Sequence, residues 1–242
     1  MIKKSHPRYR SLRTRDKIVY GVTKGVTSIH GLIAHGRGES FDYLIGEKTN
    51  EFAKKAIEGA AAALLLAKHP VISVNGNAAA LAPKELVKLS NLLNAPVEVN
   101  IFHPSKLREI KIKNHLIKYG AKNILLPDKK HKIKFLESNR KYANPNGIFK
   151  ADVVFVPLED GDRAEALIKN GKKVITIDLN PLSRTAQKST ITVVDNIIRA
   201  VPLLTETIKK YKKYEGNKLN QIIGRYDNKK MLNEAVKAIR KS

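Results

Sequence analysis

Between residues 48 and 213, short β-branched runs alternate with longer stretches of helical period, and no other feature limits the fold as strongly. The runs at 70–75, 96–102, 123–126, 152–157, 173–178 and 190–194 are continuously apolar, as expected when helices cover both faces of a parallel sheet. Helical spacing recurs at 49–68, 78–94, 105–119, 162–170 and 197–213, with Gly171 placed to close one helix at its C′ position. This grammar predicts a doubly wound α/β fold. No linker rich in Pro, Gly or Ser divides the chain and no repeat is visible, so residues 1–242 read as a single domain. A basic helical segment (5–27) precedes the α/β core (about 48–213), and an amphipathic helix (218–241) follows it; either could wrap the core or a second subunit. The lysine-rich stretch near residue 130 reads as a mobile surface excursion.

Charge narrows the choice of partner. Lys and Arg number 46 against 22 Asp and Glu, a formal net charge of +24, which favours a polyanion or a phosphorylated small molecule. Part of the lysine excess, with no Cys, no Trp and only Gln187 and Gln221, also fits a protein from a hot environment. Zero cysteines exclude a disulfide framework, a thiolate zinc site and a cysteine nucleophile. The first residues show no apolar region after their charges, and the run 59–67 is far below the roughly 18 to 20 residues of a membrane span, so a cytoplasmic protein is expected.

Ligands of open parallel sheets bind beyond the carboxyl ends of the strands. Four polar clusters fall there: Asn75-Gly76-Asn77, residues 159–163, residues 178–185, and Asp195-Asn196. Asp178 directly after a strand suits a ribose, while Arg184 and Thr185 offer a cation and a hydroxyl to phosphate; Asp178 and Asn180 equally suit an Asx turn. The HGRGES motif at 35–40 places Arg37 between two glycines, either as a phosphate-approaching turn or as a plain one. Phe41 stands where a dinucleotide fingerprint needs a third glycine. His30 and His35 lack a metal-site partner at the right spacing; Glu159, Asp160 and Asp162 suit Mg²⁺ held through water, or helix capping. Arg8, Arg10, Arg13 and Arg15 form an anion-binding or simply solvated helix face.

Taken together, SHPRYRSL, GLIAHGRGESFDYLIGEKT, HPVISVNGNAAAL, ADVVFVPLEDGDRAEAL and VITIDLNPLSRTAQ resemble the archaeal phosphopantothenate synthetase (4-phosphopantoate–β-alanine ligase) family of coenzyme A biosynthesis. The likeness runs from about residue 4 to 211 and thins over 103–145 and beyond 213. It implies a Rossmann-like homodimer that joins 4-phosphopantoate to β-alanine at the expense of ATP, giving 4′-phosphopantothenate, AMP and diphosphate through an acyl-adenylate. Family ATP contacts carry over onto Arg15, Arg37, Asp178, Leu179, Asn180, Arg184, Thr185, Asn196 and Ile197. Arg15, Arg37 and Arg184, with Mg²⁺ brought by ATP, would stabilise the charge of the reacting phosphates. His35 and Asp162 are candidates for the β-alanine proton, and Asn75 and Asn77 for pantoate contacts.

Two other classes fit parts of the chain. A nucleotide-binding regulator would share the ATP site without turnover. An RNA-binding protein would use the basic termini, but no RNP aromatics, KH loop in a suitable context or zinc finger supports it, and no specific nucleic acid is expected.

Overall fold

The computed structural model describes residues 3–103 and 105–241; the first two residues of the basic N-terminal stretch lie outside them. Three helices come first: α1 (Tyr9–Thr23), α2 (Ile29–Leu44) and α3 (Glu51–Leu66). Strand β1 (Pro70–Val74) leads to α4 (Gly76–Leu81), α5 (Pro83–Leu93), β2 (Val97–Val99), α6 (Lys106–Ile117) and β3 (Ile124–Leu125). An antiparallel ribbon, β4 (Asp128–Lys132) and β5 (Tyr142–Ala143), interrupts the alternation. It then resumes with β6 (Val153–Phe155), α7 (Gly161–Lys169), β7 (Lys173–Ile177), α8 (Arg184–Lys188), β8 (Ile191–Val193) and α9 (Ile197–Tyr211). Helices α10 (Gly216–Gly224) and α11 (Asn228–Ile239) end the chain.

The main sheet has six parallel strands in the order β3-β2-β1-β6-β7-β8. The chain thus winds outward in one direction from β1 and in the other from β6. Between these strands lies the switch point where a doubly wound sheet opens a crevice for ligand. Ile72 of β1 pairs with Val97 on one side and Phe155 on the other, all fully buried. One core joins the sheet to α3 and α9, where Ala56, Ala60 and Ala63 let the helix approach Val201 and Leu204 closely; the other joins Val71, Val154 and Val174 to Ala164 and Leu167 of α7.

Several sequence expectations change. The helix expected over 78–94 is two, because Pro83 at the start of α5 breaks the turn at Ala82. The single helix expected over 218–241 is also two. Tyr226 turns inward between them, its hydroxyl beside Asn228 and the Thr192 backbone, and Asp227 caps α11. Leu219, Met231, Leu232 and Ala235 are buried, so this pair wraps its own core. The 128–143 stretch is an ordered ribbon, pinned beneath by Arg140 and by the loop that follows it.

That loop is held by Glu98 of β2, wholly buried, whose two carboxylate oxygens accept N–H groups from Asn144 (3.0 Å) and Ile148 (2.6 Å). Gly147 is required there: a Cβ would lie 2.0 Å from a Glu98 oxygen. Burial pushes the Glu98 carboxyl from its ordinary 4.5 up to about 7, against those two hydrogen bonds and the more distant Arg163 and Lys172. The folded state therefore binds the proton more tightly than the unfolded one. This contribution to stability is complete below pH 4.5 and is lost as pH rises through 7. A carboxyl NMR titration is expected to place the Glu98 midpoint near 7, two units or more above an exposed glutamate.

Candidate active site

The cleft opens at the carboxyl edge of the sheet, as its topology requires, and α2 forms its outer wall. The main chamber, about 410 Å³, is faced by Ala34, His35, Arg37, Gly38 and Phe41 of α2. Opposite lie Asn77, residues 158–161, Asp178-Leu179-Asn180, Ser183-Arg184-Thr185 and Asn196-Ile197. All four polar clusters found in the sequence therefore contribute to this one edge. A second lobe of about 260 Å³ continues from the chamber and shares Ala34, Asn77, Leu158 and Asp160 with it.

The 178–185 loop is organised before any ligand arrives. Asp178 accepts the Asn180 N–H (2.9 Å) and the Ser183 hydroxyl, Asn180 accepts the Leu182 N–H (2.9 Å), and Ser183 caps α8 through the Ala186 N–H (2.9 Å). Burial raises the Asp178 carboxyl, and Ser183, the Asn180 N–H and the Arg37 charge pull it back down. The Asx-turn reading is thus correct, and it leaves the strand-end carboxylate on the chamber wall. Thr185 donates its hydroxyl to the Glu159 carbonyl (2.8 Å), and the Asn196 amide donates to Asp42 (2.8 Å) while its carbonyl caps α9. Both face the chamber with part of their capacity already committed.

Arg184 lies exposed beside the chamber with its guanidinium 2.6 Å from Glu165, whose carboxyl this pair and Lys169 hold down at about 2. Arg37 makes no ion pair or hydrogen bond among the described residues, which leaves its fork free toward the chamber. HGRGES is mid-helix and not a turn; its N–H groups belong to the helix ladder, so Arg37 alone can meet a phosphate there. The sequence concealed α2 because its inward face is polar. Asp42 is buried against Arg199 (2.5 Å), and Glu39 against Arg15 (2.9 Å), while Ile29 and Ile33 are exposed.

Other expected residues fall differently. Arg15 does not line this cleft: its guanidinium is held by Glu39 and lies 3.3 Å from the Tyr43 hydroxyl. Asp162 also lies outside the lining, with its charge beside Arg184. Asn75 and Asn77 line the second lobe but hold the protein together, with Asn75 bonded to Ala78 and Leu158 and Asn77 to Thr27 and Gly31. A Cβ at Gly31 would stand 2.2 Å from the Asn77 oxygen, so this contact fixes the approach of α2 to the sheet. His35 faces the chamber with a buried Nε2 that has no partner, and burial holds its imidazole below the ordinary range, hence neutral at pH 7.

The acidic cluster at 159–163 does not suit a metal. Glu159 is fully buried, bonded to Arg140 and Arg163, and Asp160 accepts a 2.7 Å bond from Arg140. Among the described residues no three His, Cys, Asp or Glu side chains converge as a cation site. No step below depends on Mg²⁺. Arg140 is a neighbour of the cleft that the sequence did not reveal. Arg140 comes from the lysine-rich stretch, and only the topology brings it to 3% exposure under the second lobe.

A Rossmann-ordered sheet with a switch-point cleft lined by Arg37, Arg184 and an organised strand-end aspartate defines a Rossmann-like α/β protein with its ligand crevice at the carboxyl edge. Residues 52–242 match the model of the phosphopantothenate/pantothenate synthetase family. The chain is 53% identical over 240 residues to a 4-phosphopantoate–β-alanine ligase of Thermococcus kodakarensis, covering 99% of this chain and 92% of that one. It is 54% identical to the protein of the same name from Thermococcus onnurineus (99% and 92% covered) and 50% to that from Methanosarcina mazei (97% and 92% covered). The chain belongs to the phosphopantothenate/pantothenate synthetase family. The likeness continues to residue 242, past the point where the sequence motifs thin out.

Proposed function

We propose that this chain joins 4-phosphopantoate to β-alanine with ATP as co-substrate, releasing 4′-phosphopantothenate, AMP and diphosphate for coenzyme A biosynthesis. The carrying observation is near full-length identity of 50% or more to ligases of that name. An arginine-lined cleft at the switch point agrees with it. The pantoate carboxylate oxygen attacks the α-phosphorus, the bond to diphosphate breaks, and an acyl-adenylate forms. The β-alanine amine then attacks the acyl carbon, AMP departs, and one proton is lost from nitrogen. Asp178, Leu179 and Asn180 receive the nucleoside with Asn196 and Ile197, and Thr185 lies beside the phosphates. Arg37 and Arg184 meet the developing phosphate charge, Arg184 by leaving Glu165. Neutral His35, with its free Nε2, accepts the amine proton. Asp162, outside the lining, is the weaker candidate. Arg15 reaches a nucleotide only by exchanging Glu39 or by acting across a subunit boundary.

A homodimer forms through the α1–α2 face, where Val19, Tyr20, Ile29 and Ile33 are all more than half exposed. Light scattering that returned one chain's 27.0 kDa would remove this part of the reading. No helix among the described residues is long and apolar enough to cross a membrane, and a cytoplasmic setting suits an ATP-consuming enzyme. The deciding assay measures AMP with all three substrates and again without β-alanine. AMP release that depends on β-alanine is expected. ADP and phosphate as products would exclude the adenylate route, and ATP binding without turnover would favour a regulator.

A further inference from the structure

Among the described residues, the second lobe has a charge that no ion pair answers. Arg140 on its wall is neutralised by Glu159 and Asp160. Arg108, half-buried at the other end, is not: among the described residues its guanidinium meets only the His103 carbonyl, leaving most of its five donors unspent. Burial lowers the Arg108 pKa, with Glu109 opposing, but an arginine stays charged in any protein setting. His30 and His103 lie beside it with ring centroids 5.2 Å apart, and the first turn of α2, left without a side-chain cap by Ser28, lines the same lobe. The same lobe carries apolar surface from Ile101, Phe102 and Leu158, and Leu158 also faces the main chamber, while the Asn75 and Asn77 amides in it are already bonded within the protein.

A cationic group, apolar surface and a junction with the main chamber in one lobe match one substrate. 4-Phosphopantoate has a phosphate at one end, a carboxylate at the other and a carbon bearing two methyl groups between them. Only the carboxylate must reach the ATP α-phosphate, and the junction at Ala34, Asn77, Leu158 and Asp160 is where the two chambers meet. We infer that this lobe seats the phosphorylated acid with Arg108, aided by His30 and His103, reading its phosphate, and that Arg108 sets the enzyme's preference for the phosphorylated over the free acid. The inference rests on the ligase reading above.

The test compares wild type, Arg108→Ala, Arg108→Lys and His30→Ala in AMP release with 4-phosphopantoate and, separately, with unphosphorylated pantoate, and determines the KM for ATP in each. Arg108→Ala is expected to lower kcat/KM for 4-phosphopantoate by about 10²- to 10³-fold, as for loss of one partner from a desolvated charge pair. Its KM for ATP and its slow rate with pantoate stay within about twofold of wild type, and Arg108→Lys recovers part of the loss because the charge returns without the fork. Inorganic phosphate is expected to compete with 4-phosphopantoate in wild type and not in Arg108→Ala. His30→Ala, at an exposed position, gives a smaller loss of the same selectivity and keeps the test valid should Arg108→Ala not fold. An unchanged preference in both alanine variants, an equal loss with both acids, or a defect confined to the KM for ATP would overturn the inference. Wild-type inactivity with 4-phosphopantoate would instead sink the ligase reading, before any variant is compared.

Discussion

Glu159→Ala is expected to cost about 3–5 kcal/mol of folding stability, because it leaves the buried Arg163 guanidinium without its paired carboxylate and Arg140 with Asp160 alone. Glu159 is 0% exposed in side chain, Arg163 1% and Arg140 3%, so water cannot compensate. Arg163 already has a buried Nε without a partner, and burial lowers its pKa against the pull of Glu159. In a chain of this length the loss corresponds to a fall in Tm of about 6–20 °C, measurable by thermal unfolding without ligand. Replacing Arg140, Glu159 and Arg163 together with apolar residues of similar volume is expected to cost less than the single change. A Tm within a degree of wild type for Glu159→Ala would show that the network is not the support it is described as here. The site would suffer as well, since the Glu159 backbone carbonyl holds the Thr185 hydroxyl at the chamber wall.

Arg184→Ala is expected to do the reverse: little to the fold and much to the chemistry. Its side chain is 61% exposed and its ion pair with Glu165 is worth little to folding in so much solvent. Removing a fixed cation from the reacting phosphates should lower β-alanine-dependent AMP release about 10²- to 10³-fold, the range for loss of one transition-state donor. Tm should stay nearly constant. Glu165→Gln provides the complement. It frees Arg184 from its resting partner, so the KM for ATP should fall; a rise would mean that Glu165 positions Arg184 productively and does not compete for it.

The main sheet was legible because its strands are mainly apolar and its helices carry a regular stripe. The loop after β7 was legible because too many polar residues crowd one strand end. What the sequence hid has a physical cause in each case. Helix α2 buries Glu39 and Asp42 and exposes Ile29 and Ile33, which inverts the pattern by which a surface helix is recognised. Arg140 lines the cleft, and Glu98 holds the 144–148 loop, only through contacts with partners 19 or more residues away in the chain. Arg108 looked like one cation among many. Its significance lies in making no ion pair among the described residues, which only the fold reveals.

The loop from Asp178 to Ser183 stands already closed on itself through three hydrogen bonds of its own side chains and one between the Ser183 N–H and the Asn180 carbonyl. A nucleotide arriving there meets a preorganised surface and needs little loss of backbone freedom from the protein. Calorimetry of ATP binding should then show a heat-capacity change sized to the small area covered, without the large negative excess that accompanies folding of a segment upon its ligand.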